Sequence, residues 1–217
     1  TLNTCSFIFL YPGFDQMYWT EFLTLAIAHL FAVASPGPDF AIVVRQCVTS
    51  GTKTGLWTSV GIGSGILLHV AYCILGVAVL LSQSPILFEA MKLIAAAYLI
   101  YLGLRSIRNS FLPNAMKFEK ANAVILEPRQ AFVQGFLTNG LNPKATLFFM
   151  ALFTVVISAE TPLVIQMIYG IYLALATFAW FALLSMVLGQ SAVRAFILKA
   201  GKWVERGMGV VLILIAI

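Results

Sequence analysis

Charge is what this sequence has least of: Asp, Glu, Lys and Arg make up only 10% of its 217 residues. A soluble globular domain carries about 25% charged and about 45–50% apolar residues, whereas 61% of this chain is hydrophobic and its mean hydropathy is +0.96. A chain of this length cannot hide so much apolar surface in a water-soluble core, because much of any small fold stays at the surface. The composition therefore excludes a soluble domain and predicts an all-α integral membrane protein.

Sequence motifs of enzymes are also missing. The cysteines Cys5, Cys47 and Cys73 lie far apart and form no CxxC pair, which removes a thiol relay. The chain contains no HExxH and no GxSxG motif, and two histidines without a third ligand do not make a metal site. A membrane-embedded enzyme is therefore the weaker alternative, and we expect no cofactor, no metal and no nucleic-acid partner.

Six apolar runs are long enough to cross a bilayer as helices, since the hydrocarbon core is about 30 Å thick and each helical residue rises about 1.5 Å. The first and fourth runs differ from the others, because a polar, proline-containing break interrupts each of them. Three runs in each half invert the second half relative to the first, as in transporters built from inverted repeats. We therefore predict six transmembrane helices in a 3+3 inverted repeat with broken helices one and four: residues 20–48, 55–82, 86–107, 131–157, 163–190 and 203–217.

The sequence outside the spans divides the chain. Residues 1–16 lack the basic start and clean apolar core of a signal peptide, and Met17 followed by two aromatic residues resembles a natural start. We interpret 1–16 as a leader or start-site extension, 17–107 as the first three-helix repeat and 131–217 as the second. Residues 108–130 mix Asn, Pro, Lys and Glu, which is typical of a linker.

Basic residues are distributed unevenly among the connections. Most of the 13 Lys and Arg residues follow spans one, three and five, whereas the connections on the other side hold only Lys92. Basic residues mark the cytoplasmic side of a membrane protein. The linker is therefore predicted to be cytoplasmic and both termini periplasmic.

The first break, Ser35-Pro36-Gly37-Pro38-Asp39, cannot be ordinary helix. Two prolines remove two backbone donors and clash with preceding carbonyls, and the glycine adds flexibility. Backbone groups left unpaired at membrane depth must be buried in protein or line a wet cavity. We expect Asp39 to begin a second half-helix, where the helix dipole favours a carboxylate.

The second break contains Asn139, Asn142 and Pro143, and Lys144 follows directly. Aligning the two breaks on their prolines places Asp39 and Lys144 at corresponding positions of the two halves. An unpaired charge inside a bilayer costs at least about 2.5–3.5 kcal/mol, so we expect the two charges to pair or to line a water-filled path. The alternative is that Asp39 only caps a helix, Lys144 snorkels and the prolines only shape the fold.

Both breaks resemble the motifs of one transporter family. SPGPDF in the first span, followed by a glycine-rich second span, and LTNGLNPKA in the fourth span are similar to the lysine exporter / homoserine-threonine resistance (LysE/RhtB) family over about residues 17–217. The resemblance implies efflux of amino acids such as threonine, homoserine, lysine or leucine across a bacterial inner membrane, driven by the proton gradient. The family motif positions that it implies here are Pro36, Gly37, Pro38, Asp39, Asn142, Pro143 and Lys144.

Together these residues predict a proton antiporter for a zwitterion. Lys144 and the half-helix N-termini are expected to bind the substrate carboxylate, and Asp39 with the carbonyls of Ser35–Pro38 its ammonium group. Asp39 is the one carboxylate deep in a predicted span, which makes it the candidate carrier of the coupling proton. A transporter of cations or of another small metabolite is the nearest alternative, although a single carboxylate supplies few of the oxygen ligands that a divalent cation site gathers. A purely structural protein has no reason to keep two intramembrane charges.

Three further side chains are secondary candidates for the transport path: His29 before the first break, His69 in the second span and Trp180 in the fifth. For the histidines, a helix–helix hydrogen bond is the alternative to a proton relay. For the tryptophan, core or lipid packing is the alternative to facing the substrate. The G-x-G-x-G run from Gly61 to Gly65 is expected to pack helices closely, and its GxxxG spacing also suits a homodimer.

Overall fold

The structure, a computed structural model, describes residues 12–111, 126–188 and 191–217. These residues form helices and contain no β-strand. The predicted all-α class is therefore confirmed for the described part of the chain. In chain order the helices are α1 (Pro12–Ala34), α2 (Pro38–Ser50), α3 (Thr52–Gln83), α4 (Pro85–Asn109), α5 (Pro128–Gly140), α6 (Pro143–Ala151), a π-helix (Leu152–Val156), α7 (Leu163–Val187) and α8 (Ser191–Ala216).

Prolines and one glycine set several of the helix boundaries. Helices α2, α4, α5 and α6 all begin with a proline. The missing N–H of proline costs nothing at that position, and its fixed φ suits the first helical residue. A single residue, Gly51, joins α2 to α3 with a φ of 86°, a backbone conformation that glycine adopts without steric cost.

Four helical segments among the described residues are each long and apolar enough to cross a membrane. They are Met17–Ala34, Thr52–Val79, Ile86–Asn109 and Leu163–Val187, and the apolar helical stretch Pro143–Val156 is shorter. The predicted second, third and fifth spans therefore correspond to the single helices α3, α4 and α7.

The structure contains the predicted breaks in the first and fourth spans and corrects the start of the sixth. The first span is divided into α1 and α2, and the fourth into α5, α6 and the π-helix, because each proline-containing segment ends one helix and begins another. The predicted sixth span lies in α8, which begins at Ser191 and not at residue 203. The basic residues before residue 203 suggested a connection, but a helix can continue beyond the apolar stretch that crosses the membrane.

The predicted leader and linker lie only partly within the described residues. Residues 1–11 fall outside them, while 12–16 belong to α1. At the linker, α4 continues to Asn109 and α5 already begins at Pro128, and residues 112–125 fall outside.

Glycines allow α3 to pack closely against both α5 and α7. A Cβ atom at Gly61 would overlap the backbone oxygen of Phe132 in α5, and a Cβ atom at Gly63 would lie 3.0 Å from the Cβ of Phe178 in α7. The predicted close helix packing is therefore confirmed. The glycines of this run are buried within the protomer, so they are not exposed for the homodimer contact that their spacing suggested.

Large apolar side chains are exposed along α4 and α7. Leu93 and Ile94 of α4 are 72% and 69% exposed, and Leu175 of α7 is 61% exposed. Such continuous apolar exposure is rare on soluble proteins and suits contact with lipid.

Candidate functional site

Asp39 lies in the first turn of α2, where the first break ends. Its Oδ2 accepts a 2.9 Å hydrogen bond from Nδ2 of Asn139, near the end of α5. Its other oxygen, Oδ1, is buried and has no hydrogen-bond partner within the described ranges. Burying a polar atom without a partner is costly, so Oδ1 is suited to bind a proton, a water molecule or an ammonium group.

Lys144 lies in the first turn of α6, and its Nζ donates a 3.3 Å hydrogen bond to Oγ of Ser35 in the first break. The second break thus supplies the donor in two hydrogen bonds, and the first break supplies both acceptors. Asp39 and Lys144 interact electrostatically and line one cavity. Their hydrogen bonds, however, do not join the two charges. Asp39 accepts from Asn139, and Lys144 donates to Ser35, so each binds an uncharged side chain of the opposite break.

The two breaks share one local organisation. In each, a helix ends and the next helix starts with a proline followed by a charged residue. Gly37 is the N-cap of α2 and offers no side-chain cap, whereas Oδ1 of Asn142 caps α6 by accepting a 3.0 Å hydrogen bond from the backbone N of Lys144. Both helix N-termini carry positive partial charge, which stabilises anions nearby and disfavours the Lys144 cation unless an anion faces it.

Residues of the two breaks line a cavity of about 60 Å³, which we call the inner cavity. This volume accommodates a few water molecules. Its apolar lining includes the aromatic residues Phe40, Phe149 and Phe181. Its polar side chains are His29, Ser35, Asp39, Asn139, Asn142, Lys144 and Thr177.

Helix α3 packs against Asn139. A Cβ atom at Gly65 would lie 2.7 Å from Oδ1 and 3.0 Å from Cβ of Asn139. One turn further along α3, Nε2 of His69 lies 3.0 Å from the backbone O of Asn139. Both contacts hold the residue that donates to Asp39, so α3 positions the carboxylate through Asn139.

His69 is therefore a link between helices rather than a lining residue of the inner cavity. A carbonyl oxygen only accepts, so Nε2 carries the proton towards Asn139, and Nδ1 accepts from the hydroxyl of Tyr72. The imidazole also stacks on Phe149, with ring centroids 5.5 Å apart and an interplanar angle of 2°. This arrangement corresponds to the predicted helix–helix hydrogen bond.

His29 does line the inner cavity. It is 3% exposed, and its Nε2 lies 2.9 Å from Oγ1 of Thr177 in α7. This hydrogen bond joins α1 to α7. The sequence pointed to the histidine but not to its partner, since a threonine within a long apolar helix carries no motif.

Gly37 and Pro38 also line the inner cavity, whereas Pro36, Pro143 and Trp180 do not. Trp180 packs against the buried cluster that contains Phe40 and Val43, and its Nε1 is buried without a hydrogen-bond partner in the described part of the chain. Pro36 contacts Gly201 of α8, where a Cβ atom would lie 2.9 Å from the proline ring. Both residues therefore contribute to packing around the breaks.

A second carboxylate, Glu21, is also buried, although it lies at the start of the first predicted span and not deep within it. Glu21 lies in α1 and is 7% exposed. Its carboxylate accepts hydrogen bonds from the backbone N of Ser158 at 2.8 Å, Oγ1 of Thr161 at 2.9 Å and the hydroxyl of Tyr169 at 3.3 Å. It ties the segment between the π-helix and α7 to α1. A glutamate at the start of an apolar run resembles an ordinary interfacial residue, which is why the sequence did not reveal it.

Comparisons with known proteins identify the family of the chain. Residues 30–217 match the family described as LysE type translocator. The chain is similar to the threonine efflux protein of Escherichia coli, with 25% identity over 186 residues that cover 85% of this chain and 89% of that protein. It is also similar to the uncharacterized membrane protein YrhP of Bacillus subtilis, with 34% identity over 125 residues that cover 55% of this chain and 60% of that protein. No solved structure matches the chain.

The family match extends over most of the chain and includes both helix breaks. It also accounts for several helices that are apolar enough to cross a membrane and for a sequence without the catalytic motifs sought above. The chain is a multi-pass membrane transporter, not an enzyme, and it belongs to the LysE type translocator family.

Proposed function

We propose that this protein exports amino acids of the threonine, homoserine, lysine or leucine type from the cytoplasm as a proton antiporter. The observation that carries the proposal is the hydrogen bond from Asn139 to Asp39, which joins the two breaks and leaves one oxygen of Asp39 unpaired at the inner cavity within the described residues. The family match and the similarity to threonine efflux proteins support amino acids as the substrate class.

In the proposed mechanism, Asp39 alternates between a proton and the ammonium group of the substrate. The protonated carboxyl returns to the cytoplasmic side, and loss of the proton prepares it for the next substrate molecule. Lys144 leaves Ser35, an uncharged and therefore weaker partner, to bind the substrate carboxylate beside the N-terminus of α6. Opposite groups of one zwitterion thus bind to opposite breaks.

The architecture that we propose is a 3+3 inverted repeat in a bacterial inner membrane. The shared local organisation of the two breaks supports the repeat, in which α1–α2 corresponds to α5–α6, α3 to α7 and α4 to α8. The repeats are residues 17–107 and 131–217. The linker lies in the cytoplasm and both termini in the periplasm, because the basic residues cluster at that linker and at the connections on its side of the membrane.

Export is tested by loading cells with dipeptides that contain threonine, leucine or lysine and measuring which free amino acid leaves. Cells that express the protein are expected to release at least one of these amino acids faster than cells without it. An unchanged rate for every amino acid contradicts the proposal and directs attention to cations or other metabolites.

Replacing Asp39 by Asn separates proton coupling from substrate passage. Inside-out membrane vesicles present the cytoplasmic face outward, so uptake of labelled threonine into an acidic lumen reports antiport. The D39N protein is expected to lose gradient-driven accumulation but to keep exchange of labelled for unlabelled threonine at raised concentration, because the amide keeps the shape of the carboxyl and cannot carry the proton. Accumulation equal to that of the wild type would place the coupling proton elsewhere. Glu89→Gln, an exposed carboxylate of α4, is the matched control.

Adding a methyl group at Gly65 tests whether α3 positions the site. The Cβ of Gly65→Ala meets Asn139 at 2.7 Å, and overpacking of this kind costs about 1–3 kcal/mol. We expect the threonine uptake rate to fall about tenfold, because a displaced Asn139 no longer orients the Asp39 carboxylate, and about 1.4 kcal/mol added to the transport barrier corresponds to a factor of ten. Gly76→Ala on the same helix meets nothing within 4 Å and is expected to transport as the wild type does. Equal rates for the two variants, at equal amounts in the membrane, would contradict the role of α3.

A further inference from the structure

A second and larger cavity lies beside the inner cavity. It measures about 550 Å³, within the range of small-molecule binding sites, about 300–1,000 Å³. We call it the vestibule. Ser35 and Lys144 line both cavities, so their hydrogen bond lies in the wall between them. An amino acid fits in the vestibule, whereas the inner cavity accommodates only a few water molecules.

The vestibule lies at the end of α4 that leads into the linker. Arg105 and Asn109, from the last two turns of that helix, line it together with Glu205 of α8. This is the side that the distribution of basic residues assigns to the cytoplasm. The vestibule therefore opens where a substrate for export arrives.

Charges of both signs surround the vestibule. Arg105 is exposed and Glu205 is half-buried. Glu205 interacts electrostatically with Lys144 and with Lys202, and Lys144 is repelled by Arg105. A guanidinium binds a carboxylate through two parallel hydrogen bonds, and a carboxylate binds an ammonium group. The vestibule thus offers one partner for each charged group of an amino acid.

The charge balance also bears on which amino acids fit. Two cations, Arg105 and Lys144, and two carboxylates, Asp39 and Glu205, line the two cavities, so their charges balance. A net-neutral zwitterion leaves this balance unchanged. A substrate with a cationic side chain adds a positive charge for which the lining offers no further carboxylate, and an uncompensated charge in a partly buried site is unfavourable.

We propose that the vestibule is the first binding site for exported substrate, where Arg105 binds the carboxylate and Glu205 the ammonium group of a net-neutral amino acid. This inference rests on the proposed export function and narrows its substrate class to neutral amino acids. When Lys144 releases Ser35, the wall between the two cavities opens, they join into one larger cavity, and the substrate reaches Asp39.

The test measures uptake of labelled L-threonine and L-lysine into inside-out vesicles as a function of concentration. Arg105→Gln and Glu205→Gln are each expected to raise the apparent KM for threonine about tenfold, because each loses one charge-assisted contact, while the maximal rate changes less than about twofold. Arg105→Gln is also expected to increase lysine uptake relative to threonine uptake, since it removes one positive charge. A merely structural defect does not change that preference.

The controls are Arg108→Gln, one turn beyond Arg105 on α4, and Glu89→Gln, both exposed residues that do not line the vestibule.

Unchanged KM values for Arg105→Gln and Glu205→Gln, with wild-type threonine uptake present, overturn the vestibule site and leave the export proposal standing. If the wild type takes up none of threonine, lysine and leucine, the export proposal fails and this inference fails with it. If the glutamine variants do not reach the membrane, Arg105→Lys decides: an intermediate KM supports the site, because lysine keeps the charge but loses the paired hydrogen bonds, and a wild-type KM overturns it.

Discussion

The hydrogen bond from Asn139 to Asp39 is the contact on which the site depends. It crosses from one broken helix to the other at 2.9 Å, so it fixes the relative position of two segments that have lost part of their own backbone hydrogen bonding. In a bilayer such segments persist only when protein or water satisfies them. The neighbouring bond from Lys144 to Ser35 runs in the same direction, from the second break to the first. Two breaks that are separately unfavourable therefore stabilise each other.

The helices around the breaks hold the residues of this contact in position. Gly65 leaves room for the Asn139 side chain, and His69 binds the Asn139 carbonyl. Glu21 of α1 accepts hydrogen bonds from Ser158 and Thr161, and these bonds hold the segment before α7 against α1. Contacts from three helices thus surround the breaks, while Asp39 Oδ1 stays without a hydrogen-bond partner among the described residues. An unpaired buried acceptor is suited to a site at which a proton and a substrate compete.

The sequence indicated the chemistry of the site better than its contacts. Proline places both breaks at the correct residues, because its effect on a helix is local and does not depend on the rest of the fold. The partners of Asp39 and Lys144 are different: Asn139 and Ser35 were identified as residues of the breaks, but only the packing of α3 against α5 decides which atoms meet. The start of α8, the burial of Glu21 and the bond from His29 to Thr177 depend on tertiary packing in the same way, and apolar periodicity does not encode them.

The central claim is that Asp39 exchanges a proton for substrate, and proton release on binding tests it most directly. L-threonine would be added to detergent-purified protein in a weakly buffered solution while the pH is recorded. The account predicts that the wild type releases protons in a saturable way and that Asp39→Asn, at threonine concentrations that still saturate it, releases none. Equal proton release from both proteins would contradict it.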